Sequence, residues 1–348
     1  MKKSISSKAI MATAFLAFTI SSCKNHDMSA MLNINYPAAY VVNGTSNNLS
    51  VVKLSDNTIA GTVGLNGATF PHHIYMNPAK TKLAVAITAT DLSAGHATHN
   101  GSVPGLKVQI IDMVTGMIDK EIALTKLPHN AIFNNAGDEL WIGQMDTQQS
   151  QILVYNTSDW SLNNTINVGK GLSEVTFSSD GTKAFACNTT EGTVSVIDPV
   201  SKKITATLTV GTDPVGAWSA GNGKMYVDNE ASQTISEISI ADSKVISTFK
   251  LGFKPGYVAY STHHSEIWVS DATNGKVVFY TNKTGIWTPT GNISTGADAH
   301  AIAFSSDGLK AYITNQGANT VSVVDVVNRL KLKDITVGLK PNGIVLKQ

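Results

Sequence analysis

One phrase returns along this chain: Ala39-Tyr40-Val41-Val42-Asn43, Ala184-Phe185-Ala186-Cys187-Asn188 and Ala311-Tyr312-Ile313-Thr314-Asn315. Each copy leads to a second apolar run, Leu49-Ser50-Val51-Val52, Val194-Ser195-Val196-Ile197-Asp198 or Val321-Ser322-Val323-Val324-Asp325. A third run follows and ends at a glycine. Gly169, Gly211, Gly252, Gly296 and Gly338 stand 42, 41, 44 and 42 residues apart, and Gly64 heads the series. Gly64 to Gly169 is 105 residues, which is two units plus an insertion; the unit lacking the glycine ends near Ala123-Leu124-Thr125. A fixed period of this kind means small units stacked on their neighbours, because one unit alone cannot bury both of its faces.

Each unit holds four short runs of β-branched and aromatic residues, bounded by Gly, Pro, Asn, Asp and Ser, with no helical periodicity of useful length. Ser178-Ser179-Asp180-Gly181 and Ser305-Ser306-Asp307-Gly308 have the composition of tight turns. Four strands in about 42 residues make a propeller blade. The expected fold is therefore all-β: one seven-bladed β-propeller of four-stranded antiparallel blades over residues 38–348. The chain ends Pro341-Asn342-Gly343-Ile344-Val345-Leu346, which matches the first strand of a blade, whereas its repeats begin with a second strand. The C-terminal strand is thus expected to complete the N-terminal blade and close the ring, leaving no free edge.

Residues 1–22 read as an address. Lys2, Lys3 and Lys8 precede an apolar run from Ile10 to Ile20 that is short for a membrane span and right for a signal h-region. Ile20-Ser21-Ser22-Cys23 resembles the lipobox of bacterial lipoproteins. That resemblance implies diacylation at Cys23, palmitate among the acyl chains, a tether over residues 23–37 and a cell-envelope location. Lys24, where an Asp often retains such proteins at the inner membrane, favours the outer one. Cleavage removes those three lysines and turns the formal net charge of +1 into −2. A near-neutral chain without a basic stripe argues against nucleic acid as a partner. The expected partners are the membrane, through the anchor, and an envelope protein, glycan or small ligand. With Cys23 lipidated only Cys187 remains, so there is no disulfide framework.

The repeats resemble the YVTN family of seven-bladed propellers, most closely at Ala311 to Asn315 with Thr320 to Asp325, and at Thr193 to Asp198. The resemblance spans about residues 38–348. Its motifs are packing and turn residues, so it implies a fold and not an activity. The family includes surface-layer and envelope proteins and relatives of haem- and copper-bearing propellers.

Propeller sites usually lie at the mouth of the central channel. Aligning the innermost strands on Met76, Phe133, Phe177, Trp218, Tyr260, Phe304 and Leu346 gives one equivalent position four residues earlier. It holds His72, His129, Ser173, Pro214, Gly256, His300 and Asn342, with a one-residue gap needed at Trp218. His73 and Glu174 lie one step further in. The insertion, about residues 89–104, carries Asp91, His96 and His99 and is expected over the same mouth. Imidazole is a ligand for zinc, copper and iron, and a ring of equivalent strands can bring distant residues together. His72, His129 and His300 are the metal candidates, with a transition metal (copper, zinc or iron) or haem as the implied cofactor. A histidine-lined organic site and hydrogen-bonded residues lining a wet channel are the other readings of the same residues.

The chain has no Gly-x-Ser-x-Gly elbow, P-loop, His-Glu-x-x-His or Cys-x-x-Cys-His. Of the three functions open to such a chain, a hydrolase or lyase like some other seven-bladed propellers has no supporting constellation of residues in the sequence, and two others stand beside it. One is an envelope lipoprotein acting as a binding or scaffold module through its channel-mouth face. The other is a metal- or haem-binding propeller in redox chemistry or metal handling.

Overall fold

Every strand of the recurring phrase is apolar at consecutive positions because it is buried on both sides. Successive side chains of a strand point to opposite faces. Ala39 and Val41 join a cluster with Tyr312 and Val323, while Tyr40 and Val42 join another with Leu83 and Val85. One strand thereby serves two seams, and all seven seams of the ring are filled by such clusters.

The computed structural model describes residues 32–92 and 104–348, together with Met1. Cys23, His96 and His99 lie outside the described residues. Leu32–Gln348 forms one compact unit of seven four-stranded antiparallel sheets. Numbered in chain order, blades 2 to 7 have innermost strands Pro71–Met76, Pro128–Phe133, Leu172–Phe177, Pro214–Ser219, Pro255–Ser261 and Ala299–Phe304. Proline recurs at the first strand position, where no ladder donor is required. A single turn of 3-10 helix, Thr189–Glu191, is the only helical element among the described residues, and none is long and apolar enough to cross a membrane.

Blade 1 closes the ring in the expected way. Pro341–Lys347 pairs with Ala38–Asn43, in register Leu346 to Ala39 and Ile344 to Val41, and Asn48–Lys53 and Thr58–Gly64 complete the sheet. The fold is the seven-bladed all-β propeller anticipated from the repeat.

The repeat asparagine and glycine turn out to be partners. Asn43 Nδ2 donates to Asn48 Oδ1 at 2.8 Å and to Ser50 Oγ at 2.9 Å, pinning the turn between the second and third strands. Asn188 and Asn315 make the matching pair of bonds to Thr193 and Ser195, and to Thr320 and Ser322. The glycine that ends the preceding blade lies against this amide. A Cβ on Gly338 would meet Asn43 Cγ at 2.6 Å, and one on Gly211 would meet Asn229 Cγ at 2.7 Å. These glycines are fixed by close approach of neighbouring blades and not by backbone torsion.

Candidate functional site

The channel wall is built by a distortion of the sheets. In every blade the innermost strand carries one more residue near its start than the strand it pairs with. His72 and His73 together oppose Ala86; His129 and Asn130 oppose Gly143; Ser173 and Glu174 oppose Cys187. A β-bulge of this kind releases two consecutive residues from strict alternation and re-aims them. Neighbours in sequence can then both face the channel. Blade 5 corrects the sequence alignment: Pro214 pairs as Pro71 does, so Val215 is the residue equivalent to His72, and Trp218 occupies the place of Tyr75.

The bulges bring four of the sequence candidates into contact. The rings of His72 and His73 lie 4.3 Å apart, those of His72 and His129 4.7 Å, and those of His73 and His129 5.1 Å. Each of the three offers a ring nitrogen within 4.8 Å of the other two. Glu174 sits behind them with no exposure. Its Oε1 is 3.0 Å from His129 Nδ1 and 3.2 Å from His73 Nε2, and its Oε2 accepts from the Tyr75 hydroxyl at 2.9 Å. Burial, and next the Glu174 charge, push the Tyr75 hydroxyl well above its ordinary range, so it is a donor at every physiological pH. The same two causes, in the same order, raise Tyr257 in blade 6, with Asp228 adding to them.

His300 stands apart from this trio. Its ring is 6.2 Å from that of His73 and 6.5 Å from that of Tyr257. Asn342 is a tie between blades: its Nδ2 donates to Pro71 O at 3.1 Å, and Gln316 Nε2 donates to its Oδ1 at 3.0 Å. His263 and His264 lie in the turn before Glu266–Asp271, far along the blade from the bulges. Cys187 is free and buried, and burial raises its thiol well above the ordinary range.

His72 and His300 border a cleft of about 260 Å³ that also has Glu230, Lys254, Asp298 and Gln316 in its walls. Lys254 pairs with Glu230 at 2.6 Å, and Lys340 with Asp91 at 2.6 Å. Burial raises the Asp298 carboxyl against the opposing pull of Lys340 and Lys254. Leu92, within the insertion, borders the cleft. The cleft presents cationic and amide donors beside carboxylate acceptors, which suits a small ligand carrying several hydroxyls or an acid group.

Sequence reading missed Glu230, Lys254, Asp298 and Gln316. A signal for them exists. Glu230 and Gln316 directly follow the repeat asparagines Asn229 and Asn315, while Lys254 and Asp298 directly precede innermost strands. Aligning those two positions across blades lists the rim.

No protein-family model and no curated protein sequence matches the chain. Solved structures of the same architecture include a periplasmic gluconolactonase of Pseudomonas aeruginosa, with a TM-score of 0.70 and 16% identity over 90% of this chain and 99% of that one. A 6-phosphogluconolactonase candidate from Bacteroides uniformis superposes with a TM-score of 0.72 and 12% identity over 89% and 99% of the two chains. The dihydro-heme d1 dehydrogenase NirN, in complex with DHE, gives 0.65 and 15% identity over 90% of this chain and 75% of its own. At such identities the likeness establishes the fold alone.

Proposed function

We propose that this protein is a lipid-anchored envelope propeller that captures a small hydroxylated organic acid at its channel mouth. The observation that carries the reading is the cleft. Lys254, His72, His300 and Gln316 supply donors, Glu230 and Asp298 supply acceptors, and the volume of about 260 Å³ suits one sugar-sized molecule. The anchor rests on Ile20-Ser21-Ser22-Cys23. The likeness in fold to a periplasmic gluconolactonase is consistent with an envelope location and with a sugar-acid ligand.

D-gluconate is the probe of the cleft. Calorimetric titration is expected to give saturable one-to-one binding, weakened about tenfold or more by Lys254→Ala and by His300→Ala, which remove charge-assisted bonds worth about 1.5–3 kcal/mol. Gluconate heats indistinguishable from dilution, or equal in the variants, would refute the cleft assignment. A second reading, lactone hydrolysis, is favoured by the pairing of the buried His129 with Glu174, a base with its orienting carboxylate. Glucono-1,5-lactone followed in a pH-stat separates the two, since a binding module leaves the spontaneous rate unchanged.

The anchor has its own measurement. Metabolic labelling with palmitate is expected to mark the wild-type chain and to fail for Cys23→Ser, which should leave the membrane fraction. Equal labelling and retention of the variant would remove the lipoprotein half of the proposal.

A further inference from the structure

We propose that His72, His73 and His129 bind one divalent transition-metal ion in the channel, with Glu174 holding two of the imidazoles from behind. The inference goes beyond the organic ligand of the cleft; the two sites share His72, and the metal assignment does not require an organic molecule to bind.

Three observations carry it. First, the three histidines offer ring nitrogens within 4.8 Å of one another, from two adjacent blades, and all three are buried. A zinc-like ion about 2.0–2.1 Å from each nitrogen needs them roughly 3.4 Å apart. Binding therefore requires the imidazoles to draw together by rotation about χ1 and χ2. Second, Glu174 engages His129 through Nδ1 and His73 through Nε2. A carboxylate on the far nitrogen is the usual second shell of a metal-binding imidazole, fixing its tautomer and raising its basicity. His129 would then bind through Nε2 and His73 through Nδ1. A dication also compensates the charge of a carboxylate that has no exposure to water. Third, the arrangement is open on one side. His72 belongs both to the trio and to the wall of the cleft, so a fourth position can be taken by water or by a molecule in the cleft. Three imidazoles plus an exchangeable ligand is the pattern of reactive zinc sites, and structural ones are closed by four protein groups. The donor chemistry selects zinc, copper, nickel or iron(II) over magnesium and calcium, which require oxygen ligands.

The bulge explains why such a cluster arises on this wall. Ordinary alternation would send His72 and His73 to opposite faces of the sheet. The extra residue in Pro71–Met76 brings both beside His129, the second residue of the next innermost strand.

The test uses the full mature chain without a histidine tag, stripped with a chelator and titrated with Zn²⁺ alone against a chromophoric competitor, then with Cu²⁺ and Mg²⁺. One zinc per chain is expected, with copper competing and magnesium inert. His73→Ala and His129→Ala should each weaken zinc at least about 100-fold, and Glu174→Gln about 10–100-fold as for an outer-shell partner. Zinc absorption-edge spectroscopy on the wild-type protein needs no variant to fold, and should show three imidazole nitrogens at about 2.0–2.1 Å. Absence of stoichiometric zinc, or a first shell with fewer than two imidazoles, would overturn the proposal. So would loss of zinc only in His263→Ala/His264→Ala or only in His96→Ala/His99→Ala, which would put the ion on the opposite turn or in the insertion. Because the probe is the metal alone, failure of gluconate to bind leaves this test intact, and failure of zinc leaves the cleft reading intact.

Discussion

A chain ending at Lys340 is expected to lose the cooperative unfolding transition of the full-length protein. Pro341–Lys347 is the innermost strand of blade 1, and its removal uncovers the ladder edge of Ala38–Asn43. It also strips two seams, because the strand packs against Pro71–Met76 on one side and Ala299–Phe304 on the other. Ile344 leaves the cluster of Tyr312 and Val323, and Val345 leaves that of Tyr40 and Leu83. The Asn342 bonds to Pro71 and Gln316 go with them. The combined loss is comparable to the whole stability of an ordinary domain, about 5–15 kcal/mol. An unpaired edge further invites association between chains. Thermal denaturation followed by circular dichroism is the measurement, with light scattering beside it. A synthetic peptide of residues 341–348 should restore part of the transition when added in trans. A truncated chain melting with the full-length protein would show that this strand does not close the ring.

The second large effect concerns Asp228, which opposes the bulge of blade 5. The Trp218 indole N–H donates to its Oδ1 at 2.7 Å and the Gly216 amide at 3.1 Å. Its Oδ2 has no hydrogen-bond partner among the described residues. Burial raises its carboxyl to about 8, and the Glu230 charge adds to the shift, which the Trp218 bond only partly offsets. The folded state therefore holds a proton that the unfolded chain releases near pH 4. Where the folded state binds more protons, stability falls as pH rises. No penalty exists below about pH 4; it grows between about 4 and 8, and is complete above the folded value. Its ceiling is on the order of 5 kcal/mol. Asp228→Asn keeps the acceptor for Trp218 and Gly216 and does not ionise. The variant and wild type should melt together near pH 4, and the variant should melt about 5–10 °C higher at pH 8. Parallel curves across that range would show that Asp228 is ionised in the folded protein.

The blade was legible because its phrase encodes two seams at once. Tyr40, Phe185 and Tyr312 recur since every blade must fill the same gap, and Gly169, Gly211, Gly296 and Gly338 recur since each lies against the repeat asparagine amide of the next blade. His72, His129 and His300 were legible as equivalent positions for the same reason. What was hidden followed from the bulges. No local pattern marks an inserted residue in a strand of six or seven; the equivalence of the strands put His73 and Glu174 among the candidates, but alternation alone does not explain how His73 meets His129 and Glu174. The rim residues Lys254 and Asp298 were obscured differently. They sit in linkers between blades, where hydrophobic periodicity carries no information, and only the ring places them beside His300.

The extra residue in each innermost strand separates what must stay constant from what is at liberty to vary. Outside it, a substitution has to satisfy a ladder, two packed faces and a turn. Inside it, a side chain is released from the ladder, and either faces the hollow, as His72 does, or ties neighbouring blades together, as Asn342 and Asn130 do. Seven such places around one axis form an alphabet set in a fixed frame: this chain spells it with His-His, His-Asn, Ser-Glu, Val-Gly and His-Ala among others. A lineage could rewrite those letters, and with them the molecule it recognises, while the wheel that carries them goes on turning out the same shape.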